Sequence, residues 1–159
     1  MVMSRPTDSA RAEAALTATV NCYRFQCGLP VSRYQEDKLI MVTGHSVDVI
    51  GMPAGLGEAV LRGLRVANLA GPVLAHGTDW WFLCGPVGDS RPELRASLTD
   101  HGVHIISRGE AVTVPAELDR RAGWVLSPLP RCTLPPWQAI LATARRNLPA
   151  TEWPYSAAA

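Results

Sequence analysis

Between Lys38 and Gly57 the chain carries one acidic side chain, Asp48, three residues after His45. A histidine beside a carboxylate is the usual make-up of a general base with its orienting partner. On an extended strand, however, positions three apart project to opposite faces, so the pair is expected to diverge and one member to face solvent. Two-metal phosphoryl transfer needs several oxygen ligands around both cations, and a single aspartate supplies too little charge for that. Cys84, just before Gly85-Pro86, sits where a strand-end nucleophile could stand. Its apolar run Trp80-Trp81-Phe82-Leu83-Cys84 reads instead as core.

Other constellations are weaker. Cys22, Cys27, His101 and His104 have the residue types of a Cys2His2 zinc site, but Cys22 falls in a helix's last turn, Cys27 beyond it, and the histidines straddle Gly102. Buried thiols and a helix stop are the simpler reading, and no metal ligand set is expected. Trp80 and Trp81 have faces suited to base stacking, although strand alternation leaves only one of them available. The pairs Arg62 and Arg65, Arg120 and Arg121, and Arg145 and Arg146 have phosphate-binding chemistry and read first as solvated faces. Gly51 to Gly57 is glycine-rich but lacks the lysine of a phosphate-binding loop, so those glycines are expected to serve helix packing.

The elements that carry these residues follow from periodicity. Ala12, Leu16, Val20 and Tyr23 predict a first helix ending near Gly28. Leu39 to Val42 is a short apolar segment ahead of a strand at Ser46 to Ile50. Pro53 opens a helix with Leu56, Val60, Leu61 and Leu64 on one face and Glu58, Arg62 and Arg65 on the other. Val73 to Ala75 and Trp80 to Cys84 form a hairpin across His76-Gly77-Thr78-Asp79. Ser90 and Glu93 make a capping box for a helix carrying Leu94 and Leu98 and closed by Gly102. Val103 to Ile106 and Ala111 to Val114 read as a second hairpin around Arg108-Gly109-Glu110. Gly123 to Ser127 is a strand, and Pro135-Pro136 starts a last helix striped by Trp137, Ile140, Leu141, Ala144 and Leu148. The sum is an α+β (α/β) domain with a mixed, largely antiparallel sheet flanked by helices.

With 159 residues the chain can hide roughly 70% of its unfolded surface, so residues 9–148 are expected to be one domain, with flexible ends at 1–8 and 149–159. An apolar fraction of 47%, a charged fraction of 18% and a net charge of +1 exclude a disordered charged tail and any global pull on DNA. No run approaches a membrane span, and no leader-like start is present, so the expected location is cytoplasmic, with Cys22, Cys27, Cys84 and Cys132 as thiols.

In this order the segments resemble the N-terminal domain of bifunctional DNA primase/polymerases, the prim-pol branch of the archaeo-eukaryotic primase superfamily. Cys27-Gly28-Leu29-Pro30-Val31 is similar to that family's entry to its first strand, with Leu29 in place of tryptophan. Val42-Thr43-Gly44 resembles the lead into its first catalytic motif, and Trp80-Trp81-Phe82 its aromatic strand. Ser107-Arg108-Gly109-Glu110 running into Ala111 to Pro115 resembles its third segment, and Gly123-Trp124 with Pro128 its closing strand.

The departures bear on activity. The family's first motif has two acids at i and i+2, where this chain has Asp48 and Ile50. Its second motif has a histidine just before the aromatic strand, where this chain has Asp79, with His76 three residues earlier. The third motif's acid is replaced by Ile105, Ile106 and Ser107, and the Cys/His insert after the first strand is missing, shortened to Ser32 to Lys38. The resemblance thus implies a prim-pol-like fold without polymerase activity, acting as a nucleic-acid-associated or protein-interaction module. Magnesium or manganese is expected only if polymerase activity survives, and otherwise no cofactor. The alternative is a small-molecule enzyme or binder reusing the vacated nucleotide cleft, with His45, Asp48, Trp81 or Arg108 at its mouth. A homodimer joined through Trp137 or Trp153 is a third reading.

Overall fold

A computed structural model describes residues 7–89, 92–106, 108–118, 123–130 and 132–149. The order is α1 (Thr7–Asn21), a π-helical turn (Cys22–Gln26), β1 (Val31–Gln35), β2 (Lys38–Val42), β3 (Asp48–Pro53), α2 (Ala54–Val66), β4 (Val73–His76), β5 (Asp79–Cys84), α3 (Pro92–Asp100), β6 (His104–Ile105), β7 (Ala111–Val114), β8 (Trp124–Leu126) and α4 (Trp137–Arg146). The fold is α+β, and every described strand pairing is antiparallel. Helix α1 already begins at Thr7, inside the segment expected to fray. The rest of that N-terminal segment, most of the C-terminal tail with Trp153, the cap at Ser90, Ser107 and the Arg120-Arg121 pair lie outside the described residues.

The strands form two sheets where one was expected. β1-β2-β7 make the first, and β6-β3-β5-β4-β8 the second. Two readings of the sequence are corrected by this. Ser32 to Lys38, which the resemblance makes the remnant of an insert after the first strand, instead makes up most of a hairpin, with Val31 opposite Met41 and Arg33 opposite Leu39. Only Val31 of β1 is buried, so its sequence has little of the alternation that marks a strand. Residues 103–114 are not a hairpin either. β6 pairs with β3, Ile105 opposite Ile50, whereas β7 pairs with β2, Val112 opposite Met41. Gly109, at φ +83, lets the chain leave one sheet and join the other.

Two cores result. Val31, Leu39, Met41, Val112 and Val114 of the first sheet meet Val49, Leu74, Leu83 and Trp124 of the second, with Leu16 and Tyr23 closing the end. The other face of the second sheet, with Ile50, Met52, Phe82 and Val73, packs on Val60, Leu61 and Leu64 of α2, Leu98 of α3 and Ile140, Leu141 and Ala144 of α4. At the π-helical turn the Cys27 N–H reaches back to the Cys22 carbonyl at 3.1 Å, and Tyr23 is fully buried. Its hydroxyl donates to the Pro115 carbonyl at 2.7 Å and accepts from the Trp124 indole N–H at 3.0 Å, so three polar groups are satisfied inside the core. Among the described residues no helix is long and apolar enough to cross a membrane.

Candidate functional site

The chain passes between the sheets twice, side by side. In the first crossing the Gly44 N–H donates to the Val47 carbonyl at 3.1 Å. In the second, the Gly109 N–H donates to Thr43 O at 2.8 Å while the Thr43 N–H donates to Glu110 O at 3.1 Å. Gly44 is required here on two grounds. Its φ is +103, and a Cβ at that position would lie 2.8 Å from Cβ of Arg108.

Asp48 follows directly, as the first residue of β3. It shares a face with Ile50 and Met52, toward the helices, and is only 1% exposed. Its Oδ2 accepts the Val87 N–H at 2.7 Å, and its Oδ1 has no hydrogen-bond partner among the described residues. Opposite it in the ladder, Cys84 donates its thiol to the Asp48 backbone carbonyl at 3.4 Å. From the other side, Nη2 of Arg108 donates to the Val87 carbonyl at 2.5 Å. Val87 is therefore gripped at both backbone polar atoms, and the segment after β5 is fixed against the sheet junction.

The four candidate residues separate into distinct roles. Asp48 and Arg108 meet through Val87. His45 is exposed on the crossing just before them. Trp81 sits on the opposite face of the second sheet, opposite Gly51 of β3, where a Cβ would come within 2.7 Å of the His104 ring and 3.0 Å of the indole. The indole face is stacked on His76, with ring centroids 3.7 Å apart and planes 15° from parallel. Any base stacking on that face of Trp81 would first have to displace His76. Sequence reasoning placed His76 in a turn and missed this contact, although His76 and Leu74 share the strand face that carries Trp81. Val87 had no signal at all, because only its backbone takes part.

All four cysteines are free thiols. Burial pushes the Cys84 thiol up to about 12, with the Asp48 carboxylate adding to the effect. Burial likewise raises Cys27 to about 12, followed by the neighbouring thiols of Cys132 and Cys22. Cys27 thus meets two other thiols, a contact that the spacing of Cys22 and Cys27 did not reveal. Among the described residues no cluster of three or more His, Cys, Asp or Glu side chains has a geometry able to hold a metal. Because the thiolate is the reactive form, iodoacetamide at pH 8 should label Cys27 and Cys84 far more slowly in native than in unfolded protein. The sign for stability follows. The unfolded thiols ionise from about pH 8.5, while the folded ones stay protonated to about 12. Stability should be constant below that window and fall as pH rises through it, read as a declining Tm by circular dichroism.

No protein-family model, curated protein or solved structure matches the chain. Helices α2 and α4 carry arginines on their exposed sides. Arg62 and Arg65 are exposed on α2, and Arg145 and Arg146 on α4, with Glu58 the single acid on the two helices. The helices cross closely at Gly63, where a Cβ would lie 2.7 Å from Cγ2 of Thr143. Nη2 of Arg146 donates to the Thr143 hydroxyl at 3.1 Å, which holds one guanidinium near that crossing.

Proposed function

We propose that the chain forms a prim-pol-like domain that synthesises no primer and associates with nucleic acid through the arginines of α2 and α4. The observation that carries the first half is the Asp48 carboxylate, 1% exposed and bonded to a backbone amide. A metal-binding acid must face the substrate cleft, and a side chain so enclosed is better suited to fixing the adjoining loop. The second acid of the family's strand motif is here Ile50, fully buried in the helix-side core. The association half is supported by two arginine pairs brought onto adjoining helices with one acid between them, an arrangement that favours phosphate contacts over base readout.

The test is fluorescence anisotropy with single- and double-stranded oligonucleotides over a salt series. Four phosphate contacts predict a slope of log K against log salt of about −3 on single strands. Reversing Arg62 and Arg145 to glutamate should weaken binding by about tenfold or more and reduce the slope by about half. Absence of binding even at low salt would overturn the association. Incubation with template, nucleotides and manganese should yield no product, and metal-dependent synthesis lost in Asp48→Asn would overturn the non-catalytic half.

A further inference from the structure

A groove of about 210 Å³ opens between α3, β6 and α4, lined by Arg95, Leu98, Thr99, Val103, His104, Ile105 and Leu141. Its floor is apolar and continuous with the helix-side core, since Leu98, Val103 and Leu141 are each nearly fully buried. Its rim is polar and cationic. Arg95, Leu98 and Thr99 lie at i, i+3 and i+4 on one face of α3, whereas Glu93 and Asp100 fall at i−2 and i+5 from Arg95, turned away around the helix. No ion pair of Arg95 is found among the described residues.

The backbone adds a further pair of groups. The Ile106 N–H donates to Val49 O at 2.9 Å, so the alternation of an antiparallel ladder turns the N–H and C=O of Ile105 away from β3, toward the open side of this edge strand. The site therefore combines an apolar floor, a guanidinium at the mouth and edge-strand polar groups. That combination selects an anion attached to a short hydrocarbon.

We propose that the groove binds a small monocarboxylic acid with a short apolar tail, the tail on Leu98, Val103 and Leu141 and the carboxylate at Arg95. Size decides against larger occupants. At about 210 Å³ the groove is smaller than the pockets of roughly 300–1,000 Å³ that take drug-sized ligands. β6, with only two residues, is too short to extend a peptide strand along its edge. A free acid of hexanoate size fills the space that is present. This inference is independent of nucleic-acid binding, which uses other arginines.

Hexanoate, hexylamine and 1-hexanol, titrated separately into the isotopically labelled full chain and followed by backbone amide shifts, test it. Hexanoate should saturate at about 1 mM, the affinity open to so small a ligand, with the largest shifts at Thr99, Ile105 and Leu141. Hexylamine should bind about threefold to fivefold more weakly, the preference that one exposed guanidinium gives an anion over a cation. Arg95→Gln should lose that preference while leaving the 1-hexanol response unchanged, and Arg95→Glu should favour hexylamine. Shifts centred elsewhere, equal responses to hexanoate and hexylamine, indifference to Arg95→Gln, or no saturable shift with hexanoate would each overturn the assignment.

Discussion

Asp48→Ala is expected to lower the free energy of unfolding by about 3 kcal/mol, and Asp48→Asn by less than about 1 kcal/mol. The difference comes from one buried amide. The Val87 N–H donates to Asp48 Oδ2 at 2.7 Å in a fully enclosed site. Alanine removes a charge-assisted bond and leaves that N–H with no acceptor. Asparagine restores a carbonyl oxygen of the same reach and relieves the carboxylate whose Oδ1 has no partner among the described residues. Urea unfolding of the two variants measures the gap. Manganese should not change the midpoint of the parent protein or of either variant, and a metal-dependent rise in the parent that Asp48→Asn abolishes would return Asp48 to the role of a ligand. Nearly equal losses for the two variants would show that the contact to Val87 is not what the carboxylate contributes.

The sequence made some parts of this molecule legible because local chemistry and tertiary structure agree there. Helices α2 and α4 have apolar stripes that match their buried residues, and Pro53 and Pro136 flank their starts. The β4-β5 hairpin has its turn at Gly77, whose φ of +60 is the kind that glycine supplies. His45 and Asp48 do part, His45 exposed and Asp48 buried, but not by the strand parity that the sequence suggested, since His45 lies on the crossing before β3 begins. Other features depend on long-range pairing and left no local trace. β1 is a polar edge strand with one buried residue, and β6 is two residues long. The two crossings between the sheets turn at Gly44, whose bond to Val47 is local, and at Gly109, whose N–H reaches Thr43 far away in sequence. At the candidate site, the scarcity of acids was plain from composition, but its consequence was not. Nothing in residues 85–89 marks Val87 as the group that Asp48 and Arg108 hold. Arg108 could be singled out from its turn, and its reach to Val87 depends on Gly44 leaving room beneath it.

Gly71→Ala should be at least as damaging, at about 3 kcal/mol, toward the upper end for overpacking a core. Gly71 needs no unusual backbone angle, so its requirement is space. A Cβ there would lie 2.4 Å from Cδ of Pro135 and 2.6 Å from the Thr133 carbonyl oxygen. Neither atom is the end of a flexible side chain, so residues 133–135 must move as a unit. Those residues lead directly into α4, and the Pro135 carbonyl accepts the Gly85 N–H at 3.0 Å. The strain therefore passes to the contact between α4 and α2 on one side and to the loop that carries Val87 on the other. Gly55 is the control, because it is exposed, takes no positive φ and has nothing within 4 Å of its added Cβ. Gly55→Ala should stabilise by about 0.5 kcal/mol through the unfolded chain. Thermal and urea unfolding of the pair separate lost space from lost flexibility. In the fraction of Gly71→Ala that remains folded, displaced α4 should also weaken oligonucleotide binding with every arginine still present. Unchanged binding there would remove α4 from the proposed nucleic-acid surface.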